Sequence, residues 1–190
     1  MQVITYNDII NVIKNLIRIQ IFDKLKQLNI EKIDAIVIPK SSFNFANDLF
    51  YELGSCINNI ELAPRIPDHG TYDRLFSKMT FEEDSILIID SILDTGFTLG
   101  MVVESLKKKV KNVITCTLLK KIREDKICYY DNPEHIYGIL ISDYFVVGYG
   151  LDYNQQFRNI KHIFDYEDVK RYINENGLHS FYEYSKSLEE

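Results

Sequence analysis

Cysteine, long apolar runs and positive charge are all scarce in this chain, and each scarcity excludes a class of protein. Cys56, Cys116 and Cys128 are odd in number and form no CxxC pair, a pattern of reduced thiols rather than of a disulfide framework or a zinc site. The longest apolar stretches, such as Ile86 to Ile89 and Phe145 to Val147, fall far short of the roughly 18 residues a membrane span needs. No membrane partner is expected. Lys and Arg number 22 against 28 Asp and Glu, a formal net charge of -6, which repels a phosphate backbone overall and argues against nucleic acid as a partner. Residues Met1 to Asp8 carry no basic region followed by an apolar stretch, so no secretory signal is read and a cytoplasmic setting is expected.

What is present is the composition of a packed domain. With 46% hydrophobic and 26% charged residues over 190 positions, the chain suits one core burying roughly 70% of its unfolded surface. Asn7 and Asp8 can cap a helix whose apolar positions Ile9, Ile10, Ile13, Leu16, Ile17 and Ile21 predict a run to Leu28. A short strand from Ile33 to Ile38 follows, closed by Pro39, then a Lys40-Ser41-Ser42 turn and a helix from about Phe45 to Leu53. Between Cys56 and Met79, Pro64, Pro67 and Gly70 predict a short strand near Ile60 and then a mobile surface loop. Ile86 to Ile89 and Val113 to Leu119 read as buried strands flanking a helix from Thr98 to Lys109. This alternation predicts an α/β fold with a mostly parallel sheet and ligands at the carboxyl ends of its strands. Ile136 to Ile141 and Tyr144 to Tyr149 read as a strand pair forming a small antiparallel lobe, and Tyr166 to Glu190 as one or two polar helices. His69, His135, His162 and His179 show no metal spacing and are read as surface residues in turns or the tail.

The stretch Ile89-Asp90-Ser91-Ile92-Leu93-Asp94-Thr95-Gly96-Phe97-Thr98 carries the most chemistry. A buried strand delivers one acid, a short turn a second, and the chain then enters a helix N-terminus. Unpaired N–H groups there, the positive end of the helix dipole and two hydroxyls make a site for a phosphate, and Gly96 lets the backbone approach it. The alternative is an ordinary strand-to-helix turn capped by Asp94 and Thr95.

These residues resemble the signature of type I phosphoribosyltransferases: two adjacent acids, two apolar residues, then Asp-Thr-Gly-x-Thr. A second stretch, Asp143-Tyr144-Phe145-Val146-Val147-Gly148-Tyr149-Gly150-Leu151-Asp152 through Arg158, resembles the base and pyrophosphate region of hypoxanthine-guanine phosphoribosyltransferases. Lys40-Ser41 is similar to the family's Lys-Gly pyrophosphate loop, and Lys121 to the lysine that reads the purine 6-oxo group. The resemblance covers about residues 1 to 163 and implies the type I phosphoribosyltransferase fold with a small antiparallel hood, leaving 164 to 190 as a C-terminal helical extension. It implies transfer of phosphoribose from phosphoribosyl pyrophosphate to hypoxanthine or guanine, with Mg2+ as cofactor and a homodimer or homotetramer as the assembly.

The resemblance also implies roles. Asp94 is the catalytic base at purine N7. Lys40, Ser41, Asp90, Ser91, Asp94, Thr95, Gly96, Phe97, Thr98 and Arg158 bind phosphoribosyl pyrophosphate. Lys121, Phe145, Val146 and Asp152 lie at the purine, and Asp90 and Asp152 hold Mg2+. The chain departs from the family in three places: Ser91 replaces the second of two acids, Phe97 stands where a polar or small residue is usual, and the lid between Ile66 and Ser85 is shorter, with Thr71-Tyr72 where a Ser-Tyr pair is expected. Ser91 and the short lid leave open a second reading, a weakly active or inactive relative that binds nucleotide or phosphoribosyl pyrophosphate as a regulatory module.

Overall fold

A computed structural model describes residues 1–64, 75–76, 78–123 and 128–188. The Thr71-Tyr72 pair, His69 and about half of the expected lid lie outside the described residues. In chain order the elements are β1 (Val3–Ile4), α1 (Tyr6–Val12), a π-helical turn (Ile13–Ile17), α2 (Arg18–Gln27), β2 (Ile33–Val37), α3 (Phe43–Leu53) and β3 (Ile57–Leu62). There follow β4 (Ser85–Leu93), α4 (Phe97–Leu106), β5 (Asn112–Lys121), β6 (Ile136–Ile141), β7 (Val146–Val147), β8 (Ile163–Asp165), α5 (Tyr166–Asn176) and α6 (Leu178–Ser187).

The apolar run in β4 is central because both of its faces are covered. Leu87 and Ile89 pack with α1, α2 and α3, whereas Ile86, Ile88 and Leu93 pack with Leu99, Val102, Val103 and Leu106 of α4. Burial on both sides is what makes a parallel strand read as a continuous apolar run rather than an alternating one. The five-stranded sheet has the order β3-β2-β4-β5-β6, and each neighbouring pair is parallel. The carboxyl ends of β2, β4, β5 and β6 therefore lie side by side along one edge.

Thr5, rather than Asn7 or Asp8, caps the first helix. Its Oγ1 accepts from the Asp8 N–H at 3.2 Å, and the Asp8 carboxylate accepts from the Thr5 N–H at 3.0 Å, a reciprocal capping box. Ile9, Ile13, Ile17, Ile21 and Leu25 form a buried stripe. Four-residue spacing drifts by about 40° per step on a helix of 3.6 residues per turn, and the wider π-helical turn at Ile13–Ile17 removes part of that drift. Leu16, expected on this face, falls beside the stripe and is 41% exposed.

The expected strand pair does not form. β6 joins the central sheet parallel to β5, while Val146–Val147 belongs to a separate antiparallel sheet of order β1-β8-β7. The small antiparallel lobe exists, but the chain's first and late segments build it. Strand β8 runs across position 164, and Phe164, Val169 and Phe181 share a core with Val147, Phe157 and Ile160. His135 and His162 are buried rather than surface residues. His162 Nδ1 accepts from the Tyr6 N–H at 3.0 Å, tying the lobe to α1. Among the described residues, no helix is long and apolar enough to cross a membrane.

Candidate active site

The loop after β4 enters α4 through Gly96, whose φ is +74°. A side chain there would place its Cβ 2.8 Å from the Cβ and N of Tyr130, so both the backbone conformation and the packing call for glycine. Gly96 is the N-cap and supplies no side-chain bond. The first-turn N–H groups of a ten-residue helix thus face the loop, flanked by the hydroxyls of Thr95 and Thr98. Thr95 Oγ1 accepts from the Phe97 N–H at 3.3 Å, and Phe97 itself is 41% exposed.

Asp94 does not cap this helix. Its Oδ2 accepts from Lys121 Nζ at 3.1 Å, and its Oδ1 pairs with Arg123 Nη1. Asp143 completes the cluster, with its Oδ1 at 3.4 Å from Lys121 and 3.5 Å from Arg123. Two carboxylates and two cations therefore meet at the carboxyl ends of β4, β5 and β6. Lys121 is mostly buried, which keeps its charge among these partners rather than in solvent. Sequence reasoning gave Arg123 no role. The available signal was its spacing: two residues beyond Lys121, on an extended chain, it projects to the same face.

The loop after β2 lies against β4. The Pro39–Lys40 peptide is cis. Asp90 Oδ1 accepts from Ser42 Oγ at 3.0 Å and from the Ser91 N–H at 2.7 Å. Burial pushes the Asp90 carboxyl up to about 6, against the hydrogen bonds from Ser42 and Ser91, which lower it. Ser91 is 2% exposed and its hydroxyl donates to Ser41 Oγ at 2.8 Å, so this side chain supports the loop from beneath. Ser42 was read as part of a turn but not as Asp90's partner.

The remaining residues expected at the pyrophosphate come from the hood side. Arg158 donates to the Gly150 carbonyl at 2.6 Å and pairs with Asp152 at 2.5 Å. Gly150 has φ +96° and packs against the Ser41 carbonyl, where a side chain would collide. Lys40 and Arg158 thereby line one pocket of about 540 Å³, together with Pro39, Phe43, Asn44 and Gly150. Val146 is buried in β7, whereas Phe145 immediately before it is 51% exposed.

A parallel sheet with a phosphate-type strand-to-helix loop at its carboxyl edge, joined by a small antiparallel hood, is the type I phosphoribosyltransferase fold. A phosphoribosyl transferase domain model matches residues 7–154, and the chain belongs to that family. A hypoxanthine-guanine phosphoribosyltransferase from Bos taurus is 30% identical over 157 residues, covering 74% of this chain and 71% of the bovine protein. One of the same name from Bacillus subtilis is 41% identical over 83 residues, covering 43% of this chain and 44% of its own. Among solved structures, hypoxanthine-guanine phosphoribosyltransferase from Schistosoma mansoni in complex with IMP matches with a TM-score of 0.64 at 25% identity, covering 84% of this chain and 77% of that one. A hypoxanthine phosphoribosyltransferase from Staphylococcus aureus matches at 28% identity and a TM-score of 0.64, covering 85% and 90%.

Proposed function

We propose that this protein is a purine-salvage transferase that moves phosphoribose from phosphoribosyl pyrophosphate to hypoxanthine or guanine, releasing the nucleoside 5′-monophosphate and pyrophosphate. The observation that carries this reading is the placement of Asp94 and Lys121, 3.1 Å apart, at the mouth of the α4 phosphate loop. A proton acceptor and a compact donor for a 6-oxo group are side by side where a 5′-phosphate would be anchored.

In the reaction the C1′–oxygen bond to pyrophosphate breaks as the C1′–N9 bond forms, and the purine loses the proton on N7. The first-turn N–H groups of α4, with Thr95 and Thr98, bind the 5′-phosphate. Lys40, the Ser41 backbone and Arg158 bind the pyrophosphate, and Asp90 accepts from the ribose hydroxyls. Asp94 takes the N7 proton, its Oδ1 exchanging Arg123 for the purine N–H. Lys121 turns to O6, Phe145 offers its ring to the base, and the Val146 backbone meets the base edge. Among the described residues no cluster of three or more metal-ligating side chains forms, so Asp90 and Asp152 would each offer Mg2+ one carboxylate, with substrate phosphates and water completing its oxygen shell. When bound, Mg2+ supplies positive charge to the pyrophosphate leaving group.

Residues 1–163 would carry this chemistry, with 164–190 as a C-terminal extension whose Val169 and Phe181 pack into the hood core. A homodimer or homotetramer is the assembly that fits, supported by the exposed Phe43 and Tyr51 of α3 and Ile60 and Leu62 of edge strand β3, and the cytoplasm is the setting this reading takes. The test is direct: with Mg2+ and phosphoribosyl pyrophosphate, hypoxanthine or guanine should yield its monophosphate, and adenine should not, because Lys121 meets only another donor at a 6-amino group. Asp94→Asn should lower kcat by about 10²-fold or more while phosphoribosyl pyrophosphate affinity stays within a few-fold. Turnover of adenine at an equal rate would refute the base assignment; nucleotide binding without turnover of any base would favour a regulatory module.

A further inference from the structure

Phe145, the residue immediately before the two-residue strand β7, is a large ring and half exposed, yet it is not left to rotate freely. Tyr153 meets it edge-on, with centroids 6.0 Å apart and planes at 88°, and Tyr166 does the same at 5.8 Å and 72°. The two tyrosines stack on each other at 4.1 Å. The Tyr166 N–H also donates to the Phe145 carbonyl at 2.8 Å, so backbone and ring are fixed by the same residue. Tyr166 is the first residue of α5. Its ring continues to Phe157 at 6.4 Å, and Phe157 in turn meets Phe181 of α6 at 6.0 Å and stacks on Tyr182 at 6.4 Å. An unbroken set of ring contacts thus runs from Phe145 into the C-terminal helices. The family model ends at residue 154, so Tyr166 and these helices lie outside what that match describes.

We infer that the C-terminal extension is part of the purine subsite: Tyr166, held by α5 and α6, is a positioning residue that fixes the Phe145 ring for the base. The inference rests on the reading of Phe145 as the purine platform. Edge-on contacts restrict the ring's torsion without stacking on it. A pre-set ring spares the base the loss of freedom that ordering a mobile one would require at binding. At the pyrophosphate end, Arg158 is held instead by the Gly150 carbonyl and the Asp152 carboxylate.

Steady-state kinetics on the full chain separate such a role from a structural one. Tyr166→Ala should raise KM for hypoxanthine about fivefold to tenfold, with kcat and the KM for phosphoribosyl pyrophosphate changed by less than about twofold. Tyr166→Phe keeps the ring and should restore the hypoxanthine KM, and IMP binding measured by calorimetry should weaken in the same order. Tyr184→Ala, which strips a ring from α6 that contacts Phe164 and Tyr172 but not Phe145, should lower thermal stability and leave the hypoxanthine KM in place. If Tyr166→Ala does not fold, Tyr166→Leu, with similar bulk and no ring, should show a smaller rise confined to the same constant. An unchanged hypoxanthine KM in Tyr166→Ala or Tyr166→Leu, or an equal rise in Tyr184→Ala, overturns the inference while leaving the activity standing. A natural protein that neither turns over nor binds a purine overturns the functional reading and this inference together.

Discussion

Ser91 stands where the resemblance implies the second of two adjacent acids. Its surroundings have no room for one: it is 2% exposed, its hydroxyl donates to Ser41, and its N–H serves Asp90. A carboxylate there would be a second buried charge beside Asp90, with hydroxyls as its nearest donors. Ser91→Asp should therefore destabilise the protein by about 3 kcal/mol or more, whereas Ser91→Ala, losing one hydroxyl contact, should cost about 1 kcal/mol. Urea denaturation of the three proteins measures both, and a Ser91→Asp variant as stable as the natural chain would show that the Lys40 loop opens to hydrate the acid. Asp90 and Asp94 were legible in the sequence because a strand end and a following loop place acids predictably. Ser42 was not, since its importance lies in which acid it meets across 48 positions of chain, and Arg123 was signalled only by its spacing from Lys121, not by the acid it meets 29 positions away. A single sequence carries no direct record of such long-range pairs.

At the scale of elements, β5 shows how strand alternation creates an environment that composition conceals. Thr115 and Thr117 project to one face, and His135, just before β6, sits between them. Its Nδ1 is 2.8 Å from Thr115 Oγ1 and its Nε2 3.0 Å from Thr117 Oγ1. Neutral imidazole, with one donor and one acceptor nitrogen, matches two hydroxyls that can each play either role. Burial, assisted by the charge of Lys120, lowers the His135 pKa to about 4. The unfolded chain therefore takes up the proton first as pH falls. His135 contributes stability that is fully present above the unfolded value of about 6.5 and is lost as pH drops through about 4. The difference corresponds to about 3 kcal/mol. Asp90, raised to about 6, acts with the opposite sign: its contribution is present below 3.8 and lost as pH rises through about 6. His135→Gln should flatten the loss of unfolding free energy between pH 6.5 and 4, measured by denaturant titration at several pH values; an unchanged slope would assign the acid sensitivity elsewhere. Elements with a sustained pattern, the apolar runs of β4 and β5 and the helical period of α4, were legible in the sequence. Two-residue strands such as β1 and β7 have too few positions to show a period, so their pairing through β8 emerged only from the fold.

At the scale of the molecule, the buried hydrophobic side chains among the described residues form three clusters that share no member: one on each face of the central sheet and one in the hood with the C-terminal helices. Strand β7 joins the first to the third, since Val146 belongs to one and Val147 to the other. The proposed site spans the same junction, taking Lys40, Asp94 and Lys121 from the central sheet and Phe145 and Arg158 from the hood side. A ligand filling it should make the two parts melt together. Phe181 is fully buried in the hood cluster, and Phe181→Ala should weaken that cluster by about 3–5 kcal/mol. Calorimetry of the variant should then show a low-temperature transition of the hood separated from that of the central sheet. IMP at a hundredfold excess over its Kd adds about 2.7 kcal/mol to any state that binds it, equivalent to about 5–10 °C for a chain of this size. Because only the assembled site binds, that gain should fall on the hood transition and draw it toward the other. A variant that melts in one displaced transition, with IMP moving the whole curve, would show instead that β7 couples the clusters tightly enough to make the chain a single cooperative unit.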